Sequence, residues 1–166
     1  MRINARWAVP LSALALLASA GAAAAAPASV TVDISPELQA KAARVYGVRD
    51  VNELAGDLRK AVERQTARSA AFDGARIVLQ LADAKPNRPT FKQMADNPSL
   101  SFESFGVGGA QIEGHAVLPS GQVVPLSYRD FETDIRYSRL TGTWGDAESV
   151  IDQFAHRLGR RQLAAR

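Results

Sequence analysis

The stretch Gln111-Ile112-Glu113-Gly114-His115-Ala116-Val117-Leu118-Pro119-Ser120-Gly121-Gln122-Val123-Val124-Pro125-Leu126-Ser127-Tyr128 decides the fold. It holds two runs of alternating apolar and polar residues on either side of a turn sequence, the pattern of a β-hairpin. Side-chain parity selects the register. With Leu118 opposite Gln122, Ala116 faces Val124, Gly114 faces Leu126 and Ile112 faces Tyr128, so the apolar residues share one face. A slip of one residue sets Ile112 against Arg129 and Gly114 against Ser127, and that face is scrambled. The surviving register leaves the loop Pro119-Ser120-Gly121. Proline suits the first central position of a type I turn, and glycine suits the left-handed position after it.

Working outward, Val30-Thr31-Val32-Asp33-Ile34 alternates as a short half-buried strand. Ser35-Pro36 starts a helix, with Ser35 as cap and Pro36 at the first helical position. Gly47 interrupts that helix. A second helix is expected from a capping box at Asp50 and Glu53 through Arg68, with Val51, Leu54, Leu58, Ala61 and Val62 as its core stripe. Ala75 to Asp83 reads as a strand with Ile77, Leu79 and Leu81 on one face. The prolines of Asp83-Ala84-Lys85-Pro86-Asn87-Arg88-Pro89-Thr90 predict a loop without regular structure. Leu100 to Phe105 reads as a further strand, closed by a flexible turn at Gly106-Val107-Gly108-Gly109. After the hairpin the apolar parity changes at Phe131 and Ile135, and a β-bulge near Arg129 and Asp130 would reconcile it. A last helix is expected from Gly145 to Leu163, capped by Thr143 or Gly145, with Asp146 and Glu148 at its positive end.

Four of these strands make the expected sheet: the order β-α-β-β-β-α is an α+β fold, one mixed, mainly antiparallel four-stranded sheet with two long helices packed on one face. A helix between the first two strands suits a crossover joining parallel neighbours.

Residues 1–26 have the pattern of a cleaved secretory signal peptide. Arg2 and Arg6 precede an apolar run from Trp7 to Ala18, and small residues follow, ending in five alanines from Ala22 to Ala26. The apolar run falls short of the ~20 residues that span a bilayer. Residues 27–166 then form a single domain, exported to the periplasm or secreted. The whole chain carries 20 basic and 17 acidic residues, a net +3. Losing Arg2 and Arg6 leaves 18 against 17, or +1, which argues against a nucleic-acid partner. The chain has no cysteine, so neither a disulfide framework nor a lipid anchor on cysteine is expected. The domain is held by core packing alone, with no stable membrane attachment.

Four groups of residues could carry chemistry. The hairpin places Glu113, His115, Ser127 and Arg129 on its polar face. An acid, an imidazole and a hydroxyl suggest nucleophilic catalysis, but His115 pairs with Pro125 rather than Ser127, and a solvated sheet face accounts for them. Asp130, Glu132 and Asp134 alternate; they could gather a hard cation such as calcium, or simply form a charged edge that discourages sheet association. Only His115 and His156 are available to zinc, without ligand spacing. The best candidate for binding is the loop carrying Lys85, Arg88, Phe91 and Lys92, where three cations and an aromatic could engage a protein or an acidic envelope component. Arg157, Arg160, Arg161 and Arg166 complement the negative end of the last helix.

The strand leading into Asp83-Ala84-Lys85-Pro86-Asn87-Arg88-Pro89-Thr90, the segment Gly108-Gly109-Ala110, the turn Pro119-Ser120-Gly121 and the opening of the final helix from Trp144 to Phe154 resemble small uncharacterised bacterial periplasmic and secreted proteins, lipoprotein-like α+β domains of unknown function. That resemblance implies a periplasmic α+β domain with no catalytic residues to carry over. The function expected is a non-catalytic periplasmic binding or envelope-accessory domain, with no cofactor and no metal. The alternative is a periplasmic hydrolase using Glu113, His115 and Ser127.

Overall fold

The structure is a computed structural model that describes residues 26–139, 141–160 and 162. Apart from Ala26, the expected signal segment lies outside the described residues, as do Arg161, Leu163 and Arg166. Strand β1 (Ser29–Ile34) leads into α1 (Pro36–Lys41), which continues as a π turn over Ala42–Tyr46. Helix α2 (Val48–Thr66) follows, then β2 (Arg76–Lys85), a short α3 (Phe91–Asp96), β3 (Gly109–Val117), β4 (Val123–Phe131) and α4 (Gly145–Gly159). The sheet order is β1-β2-β3-β4; β1 and β2 are parallel and the other neighbours antiparallel. This is the expected α+β fold, a four-stranded mixed sheet with the two long helices α2 and α4 against it and against each other.

The hairpin has the register that parity selects: Ala116 faces Val124, Gly114 faces Leu126 and Ile112 faces Tyr128. The Leu118 amide donates to the Gln122 carbonyl at 2.9 Å, and Gly121 takes the left-handed conformation at φ 83°. Ile77, Leu79, Leu81, Ala110, Ile112, Ala116 and Leu126 line one sheet face and share a core with Leu54, Leu58, Val62, Ile151, Phe154 and Leu158 of the helices. Each large apolar side chain buried there contributes about 1.5–3 kcal/mol.

Ser35 caps α1 as expected: its Oγ accepts from the Leu38 amide at 3.1 Å. The same hydroxyl donates to the Ala82 carbonyl at 2.7 Å. Ala82 is the extra residue of a β-bulge, since Leu81 pairs with Ile112 and Asp83 already with Gln111. The bulge therefore lies in β2. The β3–β4 ladder runs unbroken to Gly109 opposite Phe131, with no bulge near Arg129 and Asp130. No parity repair is needed there, because Ile135 has left the sheet for a short 3-10 turn and is half exposed.

Three further expectations are corrected. Helix α2 starts at Val48, not at an Asp50 cap; Gly47, at φ 101°, reverses the chain directly into the helix. Glu53 meets the Arg49 guanidinium at 2.8 Å instead of a helix amide. Leu100 to Phe105 is not a strand. Short polar side chains satisfy the backbone locally: the Asn97 carboxamide oxygen accepts from the Ser99 amide, Ser101 Oγ from the Glu103 amide and Ser104 Oγ from the Ser101 amide. Such bonds compete with a sheet ladder and win. Helix α4 begins at Gly145 but ends at Gly159, and neither Thr143 nor Gly145 caps it by a side-chain hydrogen bond.

Candidate functional site

The segment between β2 and β3 carries the candidate binding residues, and a buried polar cluster holds it in place. Asn87 is 1% exposed and Asp146 6%. Asp146 sits in the first turn of α4. Its Oδ1 accepts from the Arg139 amide at 2.6 Å, and its Oδ2 from the Gly108 amide at 2.8 Å, with Ser138 Oγ 3.0 Å away. Asn87 supplies the cap that α4 lacks locally: its Oδ1 accepts from the Asp146 amide at 3.1 Å. Its Nδ2 donates to the Arg139 carbonyl and, at 3.3 Å, to the Gly142 carbonyl. The backbone follows suit: the Asn87 amide donates to the Thr143 carbonyl, and the Gly106 amide to the Asn87 carbonyl.

Gly108 has a steric role in this cluster. A Cβ there would stand 2.7 Å from the Lys85 carbonyl oxygen and 3.0 Å from the Asn87 nitrogen. The expected flexible turn is a site of close backbone approach.

On the outer side of the same segment the chain exposes aromatic rings. Thr90 opens α3 with a capping box: its Oγ accepts from the Gln93 amide, and Gln93 Oε1 accepts from the Thr90 amide. This corrects the expected irregular loop. The Thr90-x-x-Gln93 spacing, a sequence signal for a helix start, places Phe91 and Lys92 on a helix. Phe91 is 73% exposed and meets Phe102, itself 55% exposed, edge to face at 5.5 Å. Phe105 is half exposed and lines, with Pro86, Arg88, Pro89 and Leu100, a cavity of about 200 Å³.

The four candidate binding residues do not converge as a unit. Arg88 and Phe91 come together through Phe102, whose carbonyl accepts from the Arg88 guanidinium at 2.6 Å. Lys92 pairs with Asp96 at 2.8 Å within α3. Lys85 is exposed at the end of β2, opposite Gly109, with no ion pair among the described residues. The patch is therefore more aromatic than cationic. Phe102 and Phe105 escape sequence reasoning because a strand reading would bury one of two alternating faces.

The other candidate groups are also placed. Glu113 faces Ser127 and accepts from Gln111 at 2.6 Å; His115 faces Pro125. Among the described residues no hydrogen bond joins His115 to Glu113 or Ser127. Asp130 pairs in register with Ala110. Glu132 accepts from the Thr133 and Asp134 amides. Asp134 meets Arg136, whose guanidinium holds its carboxyl below the usual carboxylate range. The three acids do not gather, and no metal-ligand cluster is found among the described residues. Arg157 stands in the last turn of α4, as expected, and also lies over the Tyr128 ring at 4.6 Å, a cation–π contact. His156 is exposed. No described helix is long and apolar enough to cross a membrane.

Comparison with models of known protein families, with curated proteins and with solved structures finds no match for this chain.

Proposed function

We propose that this chain is an exported, non-catalytic binding domain that docks a protein partner on the Phe91–Phe102–Phe105 patch. The observation that carries the reading is the edge-to-face pair of Phe91 and Phe102, two rings held on the surface by a capped helix and a hydrogen-bonded loop. Exposed aromatic rings grouped on one surface are a mark of interaction sites. Lys85 and Arg88 fit a partner whose apolar contact is rimmed by carboxylates, and the basic n-region followed by an apolar run supports an envelope address.

The test compares capture from an envelope extract by the full chain and by the Phe91→Ser/Phe102→Ser variant, with the thermal midpoint of both recorded. A captured protein that the variant releases, at an unchanged midpoint, is the result expected. A protein that both retain equally, or no specific capture by the unaltered chain, overturns the reading.

A further inference from the structure

Two cavities lie on the exposed side of α4, of about 290 and 640 Å³. They share Arg139, Ser149 and Gln153 in their linings, so they adjoin along these side chains and are taken together as one groove. Its smaller part adds Asp130, Glu132 and Tyr137; its larger part adds Glu148, Asp152 and His156. Small-molecule sites commonly span about 300–1,000 Å³, with a few precisely placed polar groups that fix the ligand's orientation; here polar groups dominate the lining.

Arg139 is the central residue. Its backbone is clamped at both ends of the peptide unit, by Asp146 at its amide and by Asn87 at its carbonyl. Its guanidinium makes no hydrogen bond or ion pair among the described residues, so its five donors point from a rigid anchor without a partner. Next to it, Gln153 is oriented by Tyr128 Oη at 3.0 Å, and its Nε2 donates to Ser149 Oγ at 3.3 Å. Tyr137, 69% exposed, lines the smaller part with Asp130 and Glu132; the Arg136 guanidinium lies 5.8 Å from its ring centroid, so a sugar would stack on the face that Arg136 leaves.

The mixture of groups selects the ligand class. An anion would meet the carboxylates of Asp130, Glu132, Glu148 and Asp152, besides Asp146, which the backbone amides already hold, and a cation would meet the Arg139 guanidinium. A neutral polyhydroxyl ligand uses both, since each hydroxyl donates to a carboxylate and accepts from a guanidinium or carboxamide. The apolar C–H face of a sugar ring also matches an exposed aromatic platform. We propose that this groove binds a neutral oligosaccharide, with Arg139 at its centre and Tyr137 as the stacking surface. The site is separate from the aromatic patch of the preceding section and stands without it.

The probes are chitotetraose and cellotetraose, with spermidine and inorganic phosphate as charged comparators, each titrated into the full chain and followed by amide resonances. At least one tetrasaccharide is expected to shift Arg139, Ser149 and Gln153 saturably. Tyr137→Ala and Arg139→Ala should each weaken that binding by about fivefold or more, as loss of a stacking ring or of a charge-assisted donor requires. Both side chains are exposed, so the thermal midpoints should hold. Arg139→Lys, which keeps the charge and loses the planar fork, should weaken binding less than Arg139→Ala. The proposal is overturned if neither tetrasaccharide binds, if binding survives in both alanine variants, or if only spermidine or phosphate saturates the groove.

Discussion

Between β2 and β3 the molecule inverts the usual placement of side chains. Asn87 is buried at 1% exposure, whereas Phe91, four residues on, is exposed at 73%. The polar residue is inside because every one of its carboxamide atoms has a partner, which removes the cost of taking it from water. The ring is outside because α3 is a short capped helix of six residues with no buried residue of its own. The contrast teaches which groups hold the segment and which are left over. Asn87 and Asp146 make the architecture. The phenylalanines contribute little to it, so another account of their exposure is required.

That division can be broken by mutation, and the largest effect falls on Asp146. Asp146→Ala leaves the buried Gly108 amide and the part-buried Arg139 amide without their acceptors, and should cost about 3–4 kcal/mol in urea unfolding. Asn87→Ala removes a helix cap and two donations to carbonyls, and should cost about 2–3 kcal/mol in the same measurement. Phe91→Ser/Phe102→Ser should cost less than about 1 kcal/mol, since the pair is exposed and only its ring contact is lost. A loss as large as that of Asn87→Ala would make the rings part of the scaffold and erase the contrast.

The smallest effect concerns α4 on its exposed side. Burial, with Asp57 and Asp152 nearby, holds the Glu148 carboxyl above its usual range. Through the window above the ordinary glutamate value the folded state keeps more proton than the unfolded one. Stability contributed by that proton is therefore lost as pH rises. Glu148→Gln should be slightly more stable than the unaltered chain at neutral pH, and equal to it well below the ordinary glutamate range. Equal stability at both pH values would remove Glu148 from the electrostatics of the helix pair.

The sequence made the sheet and its covering helices legible because their periodicity is strong. The register of Ile112 with Tyr128 follows from a two-residue repeat that one slip would ruin, and the stripe from Val51 to Val62 is read as easily. The segment from Pro86 to Gly108 was not legible, for a physical reason. Its bonds are either very local, as between Asn97 and Ser99, or very distant, as between Asn87 and Asp146. Neither leaves a periodic trace. The Thr90–Gln93 box is visible in the sequence, but Pro86 and Pro89 just before it have the pattern of an irregular loop. Of the candidate binding residues, Arg88 and Phe91 meet across Phe102, while Lys92 is spent on Asp96. Pairing of that kind is set by rotamers and chain reversal, which composition does not record.

The cap that Asn87 gives to α4 spans a sequence separation of 59 residues. A helix capped by its own neighbour can be finished as soon as it is made; this one cannot. Its first turn is completed only after the β2–β3 connection has met it, a loop closure whose entropy must be met first. The order of assembly is thereby constrained: the helix that is last in the chain waits on a residue near its middle. Loosening of the aromatic segment in the folded protein would, by the same bond, be felt as fraying at the start of α4.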